Sequence, residues 1–392
     1  MWTVAFDPSP SAYAGVSKTL AEGLVKRGHQ VDILPMSPQS FTDREFPCDP
    51  IANIPDKNYK VLSYPYTQVV PEALVYHWAT NTKPRYDLVI WVGDLWANAE
   101  ILNSVMSQAI PIVIHSPIDH APITALETQV LSQATAVAVP TRWGTAAVYQ
   151  GLKEGIISRS KKIPCRYVPH AVDGLVFRGS VSRSRHSGLV FGTVATNKGS
   201  RKNLGNLLRA FAGALNETND RESRLMLHTY PFMDQTNPSG FALDQLVGSL
   251  GIRDQVIFPQ PLQYLKGVSQ NEMAEFYRCL DYFVLPSKTE GFGLPIIEAA
   301  ATGVPMGVTD CPPMAEISPP NAHLFEVGDK EVQQLIGTAW WWIPKTQSIQ
   351  NWFMKAMTTV RPRSPDSPGI IHSHNFSPHN TAEKMDLLIE SS

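Results

Sequence analysis

The sequence predicts an α/β protein with two doubly wound parallel sheets. Short apolar runs alternate with stretches whose apolar residues recur at helical spacing, as in strands that helices connect. The alternation runs twice, and the Ser-, Gly- and Arg-rich segment at 173–188 between the two series predicts a linker. The length of 392 residues also favours two domains, because a single core rarely grows past about 250 to 300 residues.

The first series begins with the apolar run "WTVAF", which predicts a strand. A turn-rich segment follows, and apolar residues at helical spacing over 16–25 predict a helix that ends before the strand "VDIL". Three further runs, "DLVIWVG", "IPIVIHSP" and "ATAVAVPT", predict strands that each open into a loop of polar or small residues. We assign residues 1–175 to this first domain.

The second series predicts strands at "GLVFGTVA", "RLMLHTY", "QVIFPQ" and "DYFVLPS", with a helix after each of them. We assign residues 186–375 to this second domain. Ser377 is suited to cap a closing helix, whose apolar side holds Met385, Leu388 and Ile389. Because ligands of doubly wound sheets gather at the carboxyl ends of the strands, we expect the functional site in the loops that follow the strands.

The composition restricts the classes of partner. Hydrophobic residues make up 43% and charged residues 17%, as in a folded globular protein, and a formal net charge of -2 gives no basic field that favours nucleic acid. Four cysteines without a C-x-x-C pair suggest neither a zinc site nor a disulfide framework. The first residues lack a signal-peptide pattern, and no run approaches the roughly 18 apolar residues of a spanning helix, so we expect a cytoplasmic protein. Contact with a membrane surface stays open.

A tryptophan-rich stretch near the C-terminus permits two interpretations. We favour a buried helix, and the alternative is a contact with a membrane surface or a second subunit. The stripe of this predicted helix consists of Leu335, Ile336, Ala339, Trp340 and Ile343.

The segment "PSKTEGFGLPIIEAAATGVP" at 286–305 has the composition of an anion-binding turn. Gly291 and Gly293 leave backbone amides accessible, and Pro295 is suited to the first turn of a helix. The amides of residues 291–294 are therefore expected at a helix N-terminus, where they would bind a phosphate.

Two carboxylates, Glu290 and Glu298, flank this turn. Carboxylates accept hydrogen bonds, so sugar hydroxyls are their natural partners, and a ligand with hydroxyls on both sides of a diphosphate is a nucleotide sugar. Taken singly, Glu290 is explained as a solvated loop residue and Glu298 as an acid that interacts with the helix dipole. A dinucleotide-binding turn is a weaker alternative, because "GFGLPI" lacks the third small residue of G-x-G-x-x-G.

The string E-G-F-G-L-P-x-x-E-A resembles the E-x7-E motif of the retaining GT-B glycosyltransferases of family four. Other segments are similar to the same family. "AYAGVSKTLAEGLVKRGHQV" resembles its first glycine loop and helix, with Ala14 and Gly15 where two glycines are usual, and "VPHAVDGLVFRG" resembles P-[NH]-G-V-D-x-x-x-F. "TNKGSRKNLGNLLRAF" resembles the R-K-N segment that opens the second domain's first helix.

The resemblance implies a fold and an activity. The fold is GT-B, with two Rossmann-like doubly wound domains that face each other across a cleft, the first for the acceptor and the second for the nucleotide sugar. Residues 376–392 are expected to form a helix that crosses back to the first domain. The implied reaction moves a hexose from a UDP or GDP sugar to an acceptor hydroxyl with retention, and the acceptor is a glycan, a lipid or a small molecule.

The resemblance also implies roles for single residues in the second domain. Lys202, with Arg201 beside it, would neutralise the leaving diphosphate, and Glu298 would hold the ribose hydroxyls. Glu290 would act at the catalytic centre by holding the C3 and C4 hydroxyls of the donor sugar. The donor is also expected to contact the amides of four consecutive residues, Gly291, Phe292, Gly293 and Leu294.

In the first domain, Gly15 would let the glycine loop approach the diphosphate. "IPIVIHSPIDHAP" offers either His115 or Asp119 as the residue near the anomeric carbon, and both stay open, while His120 is as readily explained as a loop histidine. Thr141 matches a hydroxyl position that often lines the acceptor side.

We expect no cofactor besides the nucleotide sugar as co-substrate. No D-x-D sequence occurs, so no metal site is indicated, and Arg201, Lys202 and helix dipoles would stabilise the leaving group instead. The family is thought to retain configuration by attack on the same face, assisted by the phosphate. Two alternatives keep the fold: a glycosyltransferase that modifies hydroxylated bases in DNA, and a non-catalytic binding module.

Overall fold

The computed structural model describes residues 2–4, 12–34, 59–61, 87–95, 111–155, 163–179, 188–333, 339–359 and 367–392. The chain divides into two compact units. The first consists of Met1–Ala171 together with Phe376–Ser392, and the second consists of Val172–Asn375. Each unit has a parallel sheet connected by helices, so the predicted α/β fold class is confirmed.

The first unit contains a parallel sheet of seven strands in the order β3-β2-β1-β4-β5-β6-β7. These strands are β1 (Trp2–Val4), β2 (Val31–Leu34), β3 (Tyr59–Val61), β4 (Val89–Val92), β5 (Ile112–His115), β6 (Ala136–Val139) and β7 (Cys165–Tyr167). Three of its helices are α1 (Ala12–Lys26), α2 (Ala125–Leu131) and α3 (Arg142–Gly155). Every residue of β4, β5 and β6 is buried, which explains why these strands read as continuous apolar runs.

The second unit contains a parallel sheet of six strands in the order β10-β9-β8-β11-β12-β13. These strands are β8 (Val190–Val194), β9 (Arg224–His228), β10 (Val256–Ile257), β11 (Tyr282–Leu285), β12 (Met306–Thr309) and β13 (His323–Phe325). Its helices are α4 (Leu204–Thr218), α5 (Leu243–Ser249), α6 (Pro261–Lys266), α7 (Gln270–Arg278), α8 (Leu294–Ala301), α9 (Pro312–Ile317), α10 (Thr346–Thr358) and α11 (Pro368–Ser373). Short 3-10 helices occupy Arg253–Gln255 and His374–Phe376.

Aromatic rings form the centre of the second unit's core. Phe191 on β8 lies edge-on to Phe353 on α10, with ring centroids 4.8 Å apart, and edge-on to Trp352 at 5.9 Å. Phe211 on α4 contacts the ring of Phe353 at 5.2 Å. These pairs fix α4 and α10 on one face of the sheet, because aromatic edge-to-face contacts stabilise beyond the area they bury.

In both sheets the direction of strand order reverses beside the first strand of the unit, which is β1 in the first sheet and β8 in the second. In the second unit the chain runs outward from β8 to β10 and then returns to β11 on the other side of β8. The loops that follow β8 and β11 therefore diverge at neighbouring strand ends, and this switch point is where open parallel sheets bind ligands. The R-K-N segment lies in the first of these loops, and the E-x7-E segment begins in the second loop at Glu290 and ends within helix α8 at Glu298.

The last helix, α12 (Pro378–Glu390), belongs to the first unit and packs on α1. Ser377 caps it as predicted, because its side chain accepts a hydrogen bond from the amide of Asn380. The two helices approach closely at Gly23, where an added Cβ would lie 2.5 Å from the Cβ of Ala382. Asp386 of α12 accepts from Arg27 at 2.6 Å.

The structure corrects the prediction for the tryptophan-rich stretch. Ala339, Trp340 and Ile343 lie in strand β15 (Ala339–Pro344), which pairs antiparallel with β14 (Val327–Gln333), so a helical stripe is wrong for them. Leu335 and Ile336 lie outside the described residues. The physical reason is that aromatic residues fit the pleated surface of a strand as well as a helix stripe, and the pairing of Trp340 with Val332 of β14 selects the strand, where Trp340 is 43% exposed.

Within the described ranges, no helix is long and apolar enough to span a membrane.

Candidate functional site

The loop after β11 enters helix α8 through a backbone conformation that requires glycine. Gly293 precedes the first helical residue with a φ of +92°, and an added Cβ there would lie 3.1 Å from Ile296. Because Gly293 has no side chain, no side-chain cap covers the start of α8, and its first turn contains no acidic residue. Phe292 anchors the turn because its side chain is buried. The positive end of the helix dipole therefore has no side-chain cap and is suited to an anionic ligand.

The loop after β8 carries the two cations of the site. It is held in place by Asn197, whose side-chain amide donates to the carbonyl oxygens of Tyr230 at 3.0 Å and of Phe241 at 2.8 Å. Asn203 closes the loop in a left-handed conformation with a φ of 56° directly before α4. Arg201 and Lys202 therefore lie in a turn that buried hydrogen bonds fix at its start.

The structure brings Arg201, Lys202 and Glu290 together. Nζ of Lys202 lies 2.6 Å from Oε1 of Glu290, and Nη1 of Arg201 lies 2.9 Å from Oε2. Arg201 also donates to the carbonyl oxygen of Thr289 at 3.1 Å. Burial by itself would raise the pKa of Glu290, but the charges of Lys202 and Arg201 outweigh it and lower the pKa to about 2. Glu290 is therefore ionised at neutral pH.

Glu298 has the opposite electrostatic environment. It lies in the second turn of α8, and Tyr277 of α7 donates to its Oε2 at 2.7 Å. Burial raises the pKa of Glu298 to about 7, and the hydrogen bond from Tyr277 opposes this rise. Near neutral pH the two carboxylates of the E-x7-E segment therefore differ, since Glu290 is fully ionised and Glu298 is partly protonated. Sequence reasoning missed Tyr277, because nothing in its helical context marks it as a partner.

Lys288 is a second residue that sequence reasoning missed. It lies two residues before Glu290, its Nζ donates to Oγ of Ser200 at 3.2 Å, and it forms an ion pair with Glu331 of β14. No sequence signal identifies it, because Glu331 lies in a strand pair that the sequence did not predict.

His115 ends β5 in the first unit and is fully buried. Its Nε2 lies 2.9 Å from the carbonyl oxygen of Val168 and must donate to it, which leaves Nδ1 as the acceptor of the neutral ring. Burial lowers the pKa of His115 to about 4, so the ring is uncharged at neutral pH. The ring of His170 lies edge-on to it with centroids 5.0 Å apart.

Asp119 is the partly exposed end of an ion-pair relay around the buried His120, which the sequence did not reveal. Oδ1 of Asp119 lies 2.9 Å from Nδ1 of His120, and Nε2 of His120 lies 3.0 Å from Oε2 of Glu127. The side chain of His120 is 2% exposed, whereas that of Asp119 is 28% exposed. Burial by itself would lower the pKa of His120, but the hydrogen bonds and charges of the two carboxylates raise it to about 9. His120 is therefore an imidazolium held between two carboxylates.

Glu127 forms the fixed end of this relay. It receives hydrogen bonds from the backbone N–H and the hydroxyl of Thr124 and completes a capping box at the start of α2. The T-x-x-E spacing is a sequence signal for such a helix start, and it could have located Glu127 but not His120.

Two further predicted residues have structural partners in the first unit. Gly15 lies in the first turn of α1 and not in a loop, and its carbonyl oxygen accepts from Oγ1 of Thr19 at 2.8 Å. Thr141 is buried before α3, and its Oγ1 accepts from the amide of Gly144 at 3.0 Å. Within the part of the chain that the structure describes, no group of three or more His, Cys, Asp and Glu side chains is placed to hold a metal ion.

Comparison with known proteins identifies the domain that carries these loops. A family model described as "Glycosyl transferases group 1" matches residues 188–338. A stretch of 104 residues, 26% of this chain, is 38% identical to D-inositol 3-phosphate glycosyltransferase of Streptomyces scabiei and covers 21% of that protein. A stretch of 75 residues is 36% identical to the lipopolysaccharide core biosynthesis mannosyltransferase LpsB of Rhizobium meliloti and covers 19% of each chain. The chain thus spans about a fifth of the length of these curated relatives.

Solved structures resemble the whole chain at low sequence identity. HepE of Anabaena in complex with UDP has a TM-score of 0.67 and 15% identity, and the match covers 100% of this chain and 99% of that one. Sucrose-phosphate synthase of Thermosynechococcus elongatus has a TM-score of 0.69 and 16% identity, with coverage of 100% and 98%. These likenesses confirm the GT-B fold class, whereas family four and retention stay predictions.

Proposed function

Because residues 188–338 match the family model described as "Glycosyl transferases group 1", we propose that the protein transfers a hexose from a nucleotide diphosphate sugar to an acceptor hydroxyl with retention of configuration. The observation that carries the proposal is the contact of Arg201 and Lys202 with Glu290 at the switch point of the second sheet. These three side chains lie on the loop before α4 and the loop before α8, which the resemblance assigns to the diphosphate and the donor sugar.

The cations and the start of α8 are suited to a diphosphate leaving group. The diphosphate carries about two negative charges, and charge-assisted hydrogen bonds from Arg and Lys are roughly twice as strong as neutral ones. One ionised carboxylate between two cations leaves the cluster with a net positive charge before a ligand binds. This positive charge would therefore attract the diphosphate of the donor. Arg201 and Lys202 would also stabilise the charge that develops as the glycosidic bond breaks.

The two carboxylates are suited to the hydroxyls on either side of the diphosphate. Glu290 has a pKa of about 2 and stays an acceptor, so it is our candidate for the C3 and C4 hydroxyls of the donor sugar. Glu298 is the candidate for the ribose hydroxyls, and its pKa of about 7 makes that contact dependent on pH. We propose that no resident metal is needed, since Arg201, Lys202 and the helix dipole would stabilise the charge that develops on the leaving diphosphate.

In the first unit, exposure favours Asp119 over His115 as the residue that contacts a sugar. The carboxylate of Asp119 is partly exposed, while His115 is fully buried and donates to a backbone carbonyl. We therefore assign Asp119 a role in contacting the donor sugar or the acceptor, and His115 a role in holding β5 to the segment of Val168.

The relatives suggest which donor to test first. HepE of Anabaena was solved with UDP, so UDP-sugars are tested before GDP-sugars. The names of the relatives, a D-inositol 3-phosphate glycosyltransferase and a lipopolysaccharide core biosynthesis mannosyltransferase, are compatible with an acceptor hydroxyl on a glycan, a lipid or a small molecule.

The direct test is a screen of UDP- and GDP-sugars by thermal shift, followed by detection of released UDP or GDP without acceptor. A ligand at 100 times its dissociation constant stabilises the folded state by about 2.7 kcal/mol, which shifts the unfolding temperature measurably. We expect a shift and slow nucleotide release with at least one activated sugar. Absence of both with every donor would overturn the proposed activity.

A further inference from the structure

Residue 288 joins three separate segments of the second unit through its backbone. The amide of Lys288 donates to the carbonyl oxygen of Arg201 at 2.8 Å. The carbonyl oxygen of Lys288 accepts from the amide of Trp342 at 3.1 Å. The loop after β11 is thereby hydrogen-bonded on one side to the loop after β8 and on the other side to strand β15.

The side chain of Lys288 contacts the loop after β8 and both strands of the β14–β15 pair. Its Nζ donates to Oγ of Ser200 in the loop after β8 and forms an ion pair with Glu331 of β14. The ammonium also lies 5.6 Å from the ring centroid of Trp341 on β15, within the range of a cation–π contact. The side chain is 9% exposed, so its charge depends on these partners, because an unpaired buried charge is costly.

The hairpin of β14 and β15 is therefore joined at Lys288 to the loops that follow β8 and β11. Glu331 pairs with Trp341 in the register of the two strands, so the carboxylate and the ring that contact Lys288 come from opposite positions of one hairpin. Lys288 itself lies two residues before Glu290, and its backbone partner Arg201 supplies the guanidinium that contacts Glu290. A shift of Lys288 would therefore move both halves of the Arg201–Glu290 contact.

We propose that Lys288 is a positioning residue for the glycosyl transfer. It sets the distance between the loop of Arg201 and Lys202 and the loop of Glu290, and the hairpin of β14 and β15 is the support that holds it. The inference rests on the proposed function. Lys288 does not act as a third cation for the diphosphate, because its ammonium is directed to Ser200, Glu331 and the Trp341 ring.

The test compares Lys288→Met, which removes the charge, with Lys288→Arg, which keeps it, and with Glu331→Gln, which removes the partner. The matched control is Lys345→Met, because Lys345 forms an exposed ion pair with Glu326 at the end of the same hairpin. We expect Lys288→Met to lower kcat by about tenfold to a hundredfold, since small displacements of reacting groups cost this much. We expect KM for the donor and the affinity for UDP to change less than about threefold, because the diphosphate contacts stay.

Lys288→Arg is expected to restore most of kcat, Glu331→Gln to lower it in the same direction, and Lys345→Met to leave it unchanged. A crystal structure of Lys288→Met is expected to show the side chains of Arg201 and Glu290 no longer in contact. The inference is overturned if Lys288→Met keeps kcat, or if UDP affinity falls as strongly as kcat, which would make Lys288 a diphosphate ligand. Should Lys288→Met fail to fold, an unchanged kcat in Glu331→Gln overturns it equally.

These readouts separate this inference from the proposed function. If the wild-type protein binds no nucleotide and releases none, the proposed function fails, and the contact of Arg201 with Glu290 in the Lys288→Met crystal structure still decides whether Lys288 positions the loops.

Discussion

Nζ of Lys202 lies 2.6 Å from Oε1 of Glu290, although the two residues are 88 positions apart in the sequence. The contact joins the residue expected to bind the leaving diphosphate to the residue expected to bind the donor sugar. Lys202 therefore sets the electrostatic state of Glu290 before the donor arrives, since its charge helps to lower the pKa of Glu290 to about 2. A donor that binds here must share the cation between its own diphosphate and the carboxylate.

Replacement of Lys202 by methionine is expected to weaken binding of UDP or GDP by about tenfold or more. The reason is that hydrogen bonds to charged groups contribute roughly 1.5 to 3 kcal/mol, and methionine keeps the length of the side chain without the charge. Isothermal titration with the nucleotide diphosphate measures the change. The matched control is Lys198→Met, an exposed lysine in the same loop, which should keep the wild-type affinity. Equal affinities of Lys202→Met and wild type would remove Lys202 from the donor site.

The affinity for the nucleotide is expected to rise as pH increases from about 6 to about 8. The ionised carboxylate of Glu298 accepts hydrogen bonds from ribose better than the neutral form, and burial raises its pKa to about 7. Glu298→Gln should remove this pH dependence, and Tyr277→Phe should move its midpoint upward, because the Tyr277 hydrogen bond opposes the rise in pKa. A flat affinity profile in the wild type would argue against contact between Glu298 and the nucleotide.

Gly293→Ala is expected to lose both stability and nucleotide affinity. The φ of +92° places an alanine in the left-handed region, which costs roughly 1 to 2 kcal/mol, and the new Cβ would lie 3.1 Å from Ile296. Gly28→Ala is the matched control, because Gly28 has a φ of +95° but no atom within 4 Å of the new Cβ. Both variants should lower the unfolding temperature, and only Gly293→Ala should weaken UDP binding. A loss of affinity in both would point to general destabilisation.

The raised pKa of His120 leads us to expect that the folded protein loses stability at alkaline pH. Its folded pKa of about 9 lies above the ordinary value of 6.5, so its stabilising contribution is complete below about pH 6.5 and is lost as pH rises through about 9. The contribution is on the order of 3 kcal/mol for a shift of this size. Denaturant unfolding between about pH 6 and 10 measures it, and His120→Gln should flatten that part of the profile. The control His379→Gln, at an exposed position of α12, should keep the wild-type profile.

Much of the fold could be predicted from the sequence because its signals are local. The apolar runs of β4, β5 and β6 are buried along their whole length, and each is bounded by turn residues, so the runs identify the strands. The signal for the glycine-rich turn before α8 is also local. Gly293 permits the left-handed conformation at the helix start, and Pro295 is suited to the first turn of the helix. The order of such elements then predicts parallel sheets.

The parts that could not be predicted depend on contacts between distant residues. A row of tryptophans fits a helix stripe as well as a strand, and only the pairing of Trp340 with Val332 selects the strand. Lys288 finds Glu331 only once that hairpin forms. His120 is an exception, because its partners Asp119 and Glu127 are near in sequence, but the sequence does not show that the loop folds so that both carboxylates contact the ring. In each case local propensity leaves several structures open and tertiary packing selects one.

The most direct test of the role of Glu290 compares the turnover of Glu290→Gln with its affinity for UDP, both measured on protein of verified fold. We expect hydrolysis or transfer of the donor sugar to fall by about a hundredfold or more, because an interaction with the reacting sugar is lost. We expect UDP affinity no weaker than that of the wild type, because Arg201 and Lys202 are released from the carboxylate. Turnover that equals the wild type, or UDP affinity that falls together with turnover, would contradict the placement of Glu290 at the donor sugar.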